Sequence, residues 1–166
     1  MTTSAGTPIR LLGIDPGSRI TGYGIIDVFG PEIHFVACGV IKSTPSQKFP
    51  QRLKELYDGI NSVVITHKPS HAAVEDIFFA KNPKSALKLG QARGAILMAV
   101  MNNYLPVDEY TAKQVKQAVA GYGQASKGQV QHMVRVLLGL TSSPSEDASD
   151  ALAVAICLAN HLGGSV

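Results

Sequence analysis

Four carboxylates in the 166-residue chain stand in or against runs of apolar residues. Asp15 ends the run "IRLLGID", Glu75 lies inside "HAAVEDIFF", and Asp147 and Asp150 enter the small-residue run "EDASDALAVAI". Asp147 and Asp150 are spaced i, i+3. On a helix they share one face, and Ala151, Val154 and Leu158, which are core residues by type, continue it. Like charges at this spacing repel weakly on an exposed helix and more strongly where water is scarce, so a cation belongs between them. An all-oxygen set with no His or Cys suits Mg²⁺ or Mn²⁺ rather than zinc. Two such ions can activate a water, hold a phosphodiester in line and stabilise the leaving oxygen.

Each acid also has a plainer reading. Asp147 could complement the helix dipole, Asp15 before Pro16-Gly17 could be a turn former, and Glu75 could be a strand-end residue in water. Capping does not account for the aspartates. Ser143, with Pro144 at the first helical position and Glu146 three residues on, has the S-x-x-E form of a capping box.

The elements that would position these acids follow from periodicity. Residues 9–15, 21–28 and 33–43 read as three strands of an antiparallel meander, with a turn at Phe29-Gly30-Pro31. Leu53, Leu56, Tyr57, Ile60, Val63 and Val64 fall at helical spacing until Pro69. A strand follows at 71–79, and Asn82-Pro83 opens a long helix. The second half of that helix, "GAILMAVM", is apolar nearly all round and should be covered on several sides. A short strand at "LPVDEY", a helix from Thr111, a break at "GYGQAS", a helix from Ser126 to Leu138 and the final helix complete the order. A right-handed crossover after the meander most simply places the strand of Glu75 parallel to the first strand, and if the two strands are adjacent Asp15 and Glu75 are neighbours as well. The final helix, packed on the sheet, could bring Asp147 and Asp150 to the same edge.

Composition bounds the partners. The chain is 45% hydrophobic and 16% charged, which fits one ordinary domain over residues 9–166 behind a flexible tail, residues 1–8. No run is long enough to span a membrane and no signal peptide is visible, so a cytoplasmic protein is expected. Cys38 and Cys157 sit in apolar surroundings and read as reduced core residues. The net charge of +3 is unevenly spread. From Lys81 to Arg135 eight Lys or Arg face two acids, a balance of +6, while the remainder has seven against ten, a balance of −3. A polyanion partner or a solvated lysine face would each explain such a segment.

The blocks "GIDPGSRITGYG", "AVEDIFFAKN", "SALKLGQARG", "YTAKQVKQAVAG", "KGQVQHMV" and "DASDALAVAI" resemble, in order and spacing, those of the RuvC family of Holliday junction resolvases, from Leu11 to about Leu158. The resemblance implies an α/β, RNase H-like fold: a five-stranded mixed sheet, three strands antiparallel and then two parallel, with helices on both faces. It implies a homodimer that binds a four-way DNA junction and cuts two opposed strands in recombination and repair, working with a branch-migration helicase complex. Asp15, Glu75, Asp147 and Asp150 become the catalytic and metal-binding acids, with Mg²⁺ or Mn²⁺ as cofactor and two ions per site. Phe78 becomes a contact for unstacked bases, and Lys116 and Lys127 contacts for the DNA backbone. By strand alternation alone, one of Phe78 and Phe79 would face the core and the other could be exposed. Asp76 departs from the family pattern and should face away from Glu75. An actin-like phosphate-binding ATPase fragment shares a glycine-rich first turn but needs a second domain. A junction-binding protein without cleavage would be expected to lack one of the acids.

Overall fold

The structure is a computed structural model that describes residues 6–76 and 82–163. Phe78 and Phe79 lie outside the described residues, as do residues 1–5 of the expected tail; residues 6–8 are exposed and irregular.

Strands β1 (Ile9–Asp15), β2 (Ile20–Phe29) and β3 (Glu32–Lys42) form the antiparallel meander. Gly30, at φ 56°, turns the chain between β2 and β3. Helix α1 (Phe49–His67) ends at Lys68 in the left-handed region, just before Pro69. Strand β4 (His71–Asp76) then runs parallel to β1. Asn82 caps α2 (Pro83–Met101) by accepting a bond from the Ser85 amide at 2.9 Å. After β5 (Val107–Thr111), parallel to β4, come α3 (Ala112–Ala120), α4 (Lys127–Leu138) and α5 (Glu146–Gly163). Thr111 with Gln114, and Ser126 with Gln129, form reciprocal capping boxes that start α3 and α4.

The sheet order is β3-β2-β1-β4-β5, the five-stranded mixed sheet expected. Strand alternation divides the core in two. Leu12, Ile14, Ile25 and Val74 pack with α1 and α2 on one face, while Leu11, Ile26 and Ala73 pack with α3, α4 and α5 on the other. In α5, every residue from Ala148 to Ala159 except Asp150 is buried. Among the described residues, no helix is long and apolar enough to cross a membrane.

Two expectations are corrected. The cap of α5 is Ser145, not Ser143: the Ser145 hydroxyl accepts a long bond from the Ala148 amide at 3.4 Å, and its carbonyl accepts from Ser149 at 2.8 Å. The first intrahelical carbonyl therefore belongs to Ser145, and Pro144 precedes the cap, where its fixed φ fits extended chain. Nor is the second half of α2 covered on several sides within a single chain. Ile96, Ala99 and Val100 are buried against α1 and the sheet, but Met98 and Met101 are 52% and 53% exposed.

Candidate active site

The parallel ladder between β1 and β4 pairs Gly13 with Ala73 and Ile14 with Val74, so the next residues along are Asp15 and Glu75. Alternation turns both side chains to the α5 face. Helix α5 reaches that face because its bed is made of glycine. A Cβ on Gly13 would collide with the backbone of Ala151 and Ala155, and one on Gly24 would lie 2.7 Å from Leu152. Close packing at these points sets the first turn of α5, with Asp147 and Asp150, over the ends of β1 and β4.

The turn after Asp15 is held from within. Thr21, fully buried, donates from its hydroxyl to the Gly17 carbonyl at 2.9 Å and accepts from the Gly17 amide at 3.2 Å. Next to it, the Ser18 carbonyl accepts from Ser43 at 2.7 Å and from the Arg52 guanidinium at 3.0 Å.

The result is a cleft of about 520 Å³ lined by Asp15, Glu75, Asp76, Lys116, Lys127, Asp147 and Asp150, with Val115, Val130 and Ala153 as its apolar wall. The six described site residues read from the sequence thus border one space. Asp76 reaches its rim, with its carboxylate 3.7 Å from Arg93.

Crowded carboxylates in this space hold protons unusually tightly. Burial, reinforced by the charges of Glu75, Asp150 and Asp147, pushes Asp15 up to about 8, and a hydrogen bond between Asp15 and Glu75 holds a proton within the pair. Burial also raises Glu75, against the pull of that bond and of Lys127 and Lys116. Asp150 is raised by burial and partly restored by Lys127, whose Nζ lies 3.4 Å from Asp150 Oδ2 and also contacts Glu146.

A proton and a lysine thus supply the positive charge that the cleft demands. Among the described residues, no three His, Cys, Asp or Glu side chains form a ready-made metal cluster. The donor set is nonetheless all carboxylate, which fits a hard divalent ion able to displace the proton and the lysine.

The sequence reading missed three contributors: the glycine bed, Glu146 as a partner of Lys127, and Arg93 behind Glu75. The bed had a visible signal, since Gly22 and Gly24 alternate within β2 and so face the same way. The charged partners had none, because pairing across elements depends on packing.

The family model for crossover junction endodeoxyribonuclease RuvC matches residues 11–158. The Acinetobacter baylyi protein of that name is 56% identical over 156 residues, spanning 94% of this chain and 85% of its relative. That of Polynucleobacter asymbioticus is 53% identical over 154 residues, 92% and 90% of the two chains. Among solved structures, Thermus thermophilus RuvC in complex with a Holliday junction substrate superposes with a TM-score of 0.89 at 35% identity, covering 94% of this chain and 96% of that one. The yeast mitochondrial Holliday junction resolvase, at 13% identity, a TM-score of 0.63 and coverage of 90% and 78%, shares the fold. With a family match over residues 11–158, relatives of more than half identity and a solved structure that superposes over nearly the whole chain, the chain belongs to the RuvC family of crossover junction endodeoxyribonucleases.

Proposed function

We propose that this chain is a structure-selective DNA endonuclease that resolves four-way junctions by metal-dependent hydrolysis of two opposed phosphodiesters, in recombination and repair. One arrangement carries the reading: four carboxylates from three separate elements border a single cleft together with Lys116 and Lys127. Acids alone would repel DNA, and lysines alone would bind without cutting. Their combination suits phosphodiester hydrolysis.

In this reading Asp15, Glu75, Asp147 and Asp150 hold Mg²⁺ or Mn²⁺, two ions per site. The bound metal supplies the charge that lets the acids ionise together and the Lewis acidity that makes water a nucleophile. Lys116 and Lys127 anchor the DNA backbone beside them, with Lys127 leaving Asp150 and Glu146 for a phosphate. The apolar wall of Val115, Val130 and Ala153 strengthens these charge interactions by keeping water sparse. Phe78 contacts unstacked bases at the opened junction.

Cutting two strands symmetrically calls for two sites, and α2 supports a second copy. Leu87, Gly90, Gly94, Met98 and Met101 recur every three or four residues along its exposed side, with Leu87 69% exposed. A Cβ on Gly90 or Gly94 would meet nothing within 4 Å, so another helix could approach closely there. Family membership supports a branch-migration helicase complex as partner, and cytoplasmic work.

The test is a synthetic four-way junction incubated with purified protein and Mg²⁺, beside a linear duplex. The wild type cuts the junction selectively and only with the ion. Asp150→Asn loses cleavage yet keeps junction binding, because it removes negative charge near DNA. Retained cleavage in Asp150→Asn would exclude the four-carboxylate site.

A further inference from the structure

We infer that Arg93 is a positioning residue for Glu75, acting from the far side of the sheet; the inference rests on the metal-dependent reading of the cleft. Arg93 lies in the middle of α2, and its side chain is only 16% exposed. Its Nε donates to the backbone carbonyl of Glu75 at 3.2 Å, and its Nη2 donates to Glu109 Oε1 at 2.7 Å. Asp76 Oδ1 is 3.7 Å from the same Nη2. One guanidinium therefore joins the last two residues of β4 to β5 and to α2.

The location gives this clamp its function. The ladder of β4 with β1 runs to Val74, while its ladder with β5 continues through Glu75 and Asp76. Glu75 is thus at a strand end, where pairing is one-sided, and its carboxylate enters a buried space already occupied by other acids. The charge of Asp150 pushes on the Glu75 carboxylate there, while a hydrogen bond to Asp15 draws it the other way. A bond to the Glu75 carbonyl fixes the backbone against that push. Arg93 touches neither the cleft acids Asp15, Asp147 and Asp150 nor the space between them, so its effect passes through Glu75.

Fork geometry is essential. Nε and Nη2 bond partners in different elements, a planar arrangement that a lysine nitrogen cannot reproduce. Asp76 and Glu109, on neighbouring strands and facing α2, are also kept together by the same cation.

The experiment compares wild type, Arg93→Lys and Arg93→Gln by calorimetric titration with Mn²⁺, by single-turnover junction cleavage at saturating Mn²⁺, by junction affinity in chelator and by thermal melts. Hydrogen bonds to a metal-ligating side chain are worth about 10- to 100-fold in metal affinity or activity, and a bond to the ligand's backbone acts one step further back, so both variants should bind Mn²⁺ about tenfold more weakly. Cleavage at saturating junction should fall with it, and junction affinity in chelator should stay unchanged. Wild-type Mn²⁺ affinity in folded Arg93→Gln, with only a lowered melt, overturns the proposal in favour of a purely structural role. Wild-type affinity in Arg93→Lys overturns the fork, and decides the matter if Arg93→Gln does not fold. Should the wild type take up no Mn²⁺, or Asp15→Asn take it up equally well, the reading of the cleft fails first and the proposal with it.

Discussion

Gly22 lies directly under the backbone carbonyl of Asp147, so close that a Cβ on Gly22 would fall well inside van der Waals contact with that oxygen. Gly22 is also the cross-strand partner of Asp15. One missing side chain therefore sets the separation between an acid of the sheet and an acid of α5. Gly22→Ala forces the first turn of α5 to rise. The expected cost is about 1–3 kcal/mol of stability, as for other overpacked sites. Cleavage suffers more, by about 100-fold, since misplacement by about 1 Å is enough for that loss. Single-turnover cleavage measured beside thermal melts checks this, with Gly30→Asn in the open β2–β3 turn as a control that retains activity. Full activity in Gly22→Ala would mean that α5 does not owe its position to this contact.

The acids were legible because charge inside an apolar run is a local anomaly, visible at Asp150 without any knowledge of the fold. The right-handed crossover implied that the strand of Glu75 runs parallel to β1, and its adjacency to β1, which sequence left open, is what sets Glu75 beside Asp15. The capping-box pattern from Ser143 put the start of α5 two residues early, because a side-chain pattern does not reveal which carbonyl accepts the first intrahelical bond. Arg93 illustrates a deeper limit. Its partners are 16 to 18 residues away on two strands, and nothing local distinguishes it from the other cations of the basic segment.

The proton on Asp15 predicts how metal binding depends on pH. Folding raises Asp15 from its ordinary 3.8 to about 8, with burial the main cause, and Glu75 and Asp150 shift in the same direction. Between those two values the native, metal-free chain binds more protons than the unfolded chain, so its stability falls as pH rises through that window. A divalent ion must expel the proton, so its apparent affinity rises over the same range and levels off above about 8. Melts in chelator and Mn²⁺ titrations across the window test both slopes. Asp15→Asn should flatten the stability slope in chelator, and an equal slope there in wild type and Asp15→Asn would show that the proton lies elsewhere.

Lys116 and Lys127 border the same cleft but have different ties in the free protein. Lys127 contacts Glu146 and Asp150, whereas Lys116 acts on Glu75 through its charge. If each meets one phosphate, alanine at either position lowers the slope of log affinity against log salt by about one unit. Glu146→Gln frees Lys127 from a competitor and should strengthen junction binding without altering that slope. Filter binding over a salt series separates these outcomes, and an unchanged slope in both alanine variants would return the lysines to solvent.

The two candidate caps of α5 make the last prediction. Ser145 accepts from the Ala148 amide, while Ser143 is exposed and lies one residue before Pro144. Loss of an N-cap hydroxyl typically costs about 1 kcal/mol. For a domain of this size that lowers the melting temperature by roughly 2–4 °C. Ser145→Ala should show that shift and Ser143→Ala almost none. Cleavage should survive in both, because the burial of α5 from Ala151 onward, not its first hydroxyl, holds Asp150 over the sheet. A larger shift in Ser143→Ala than in Ser145→Ala would move the start of the helix back to the earlier serine.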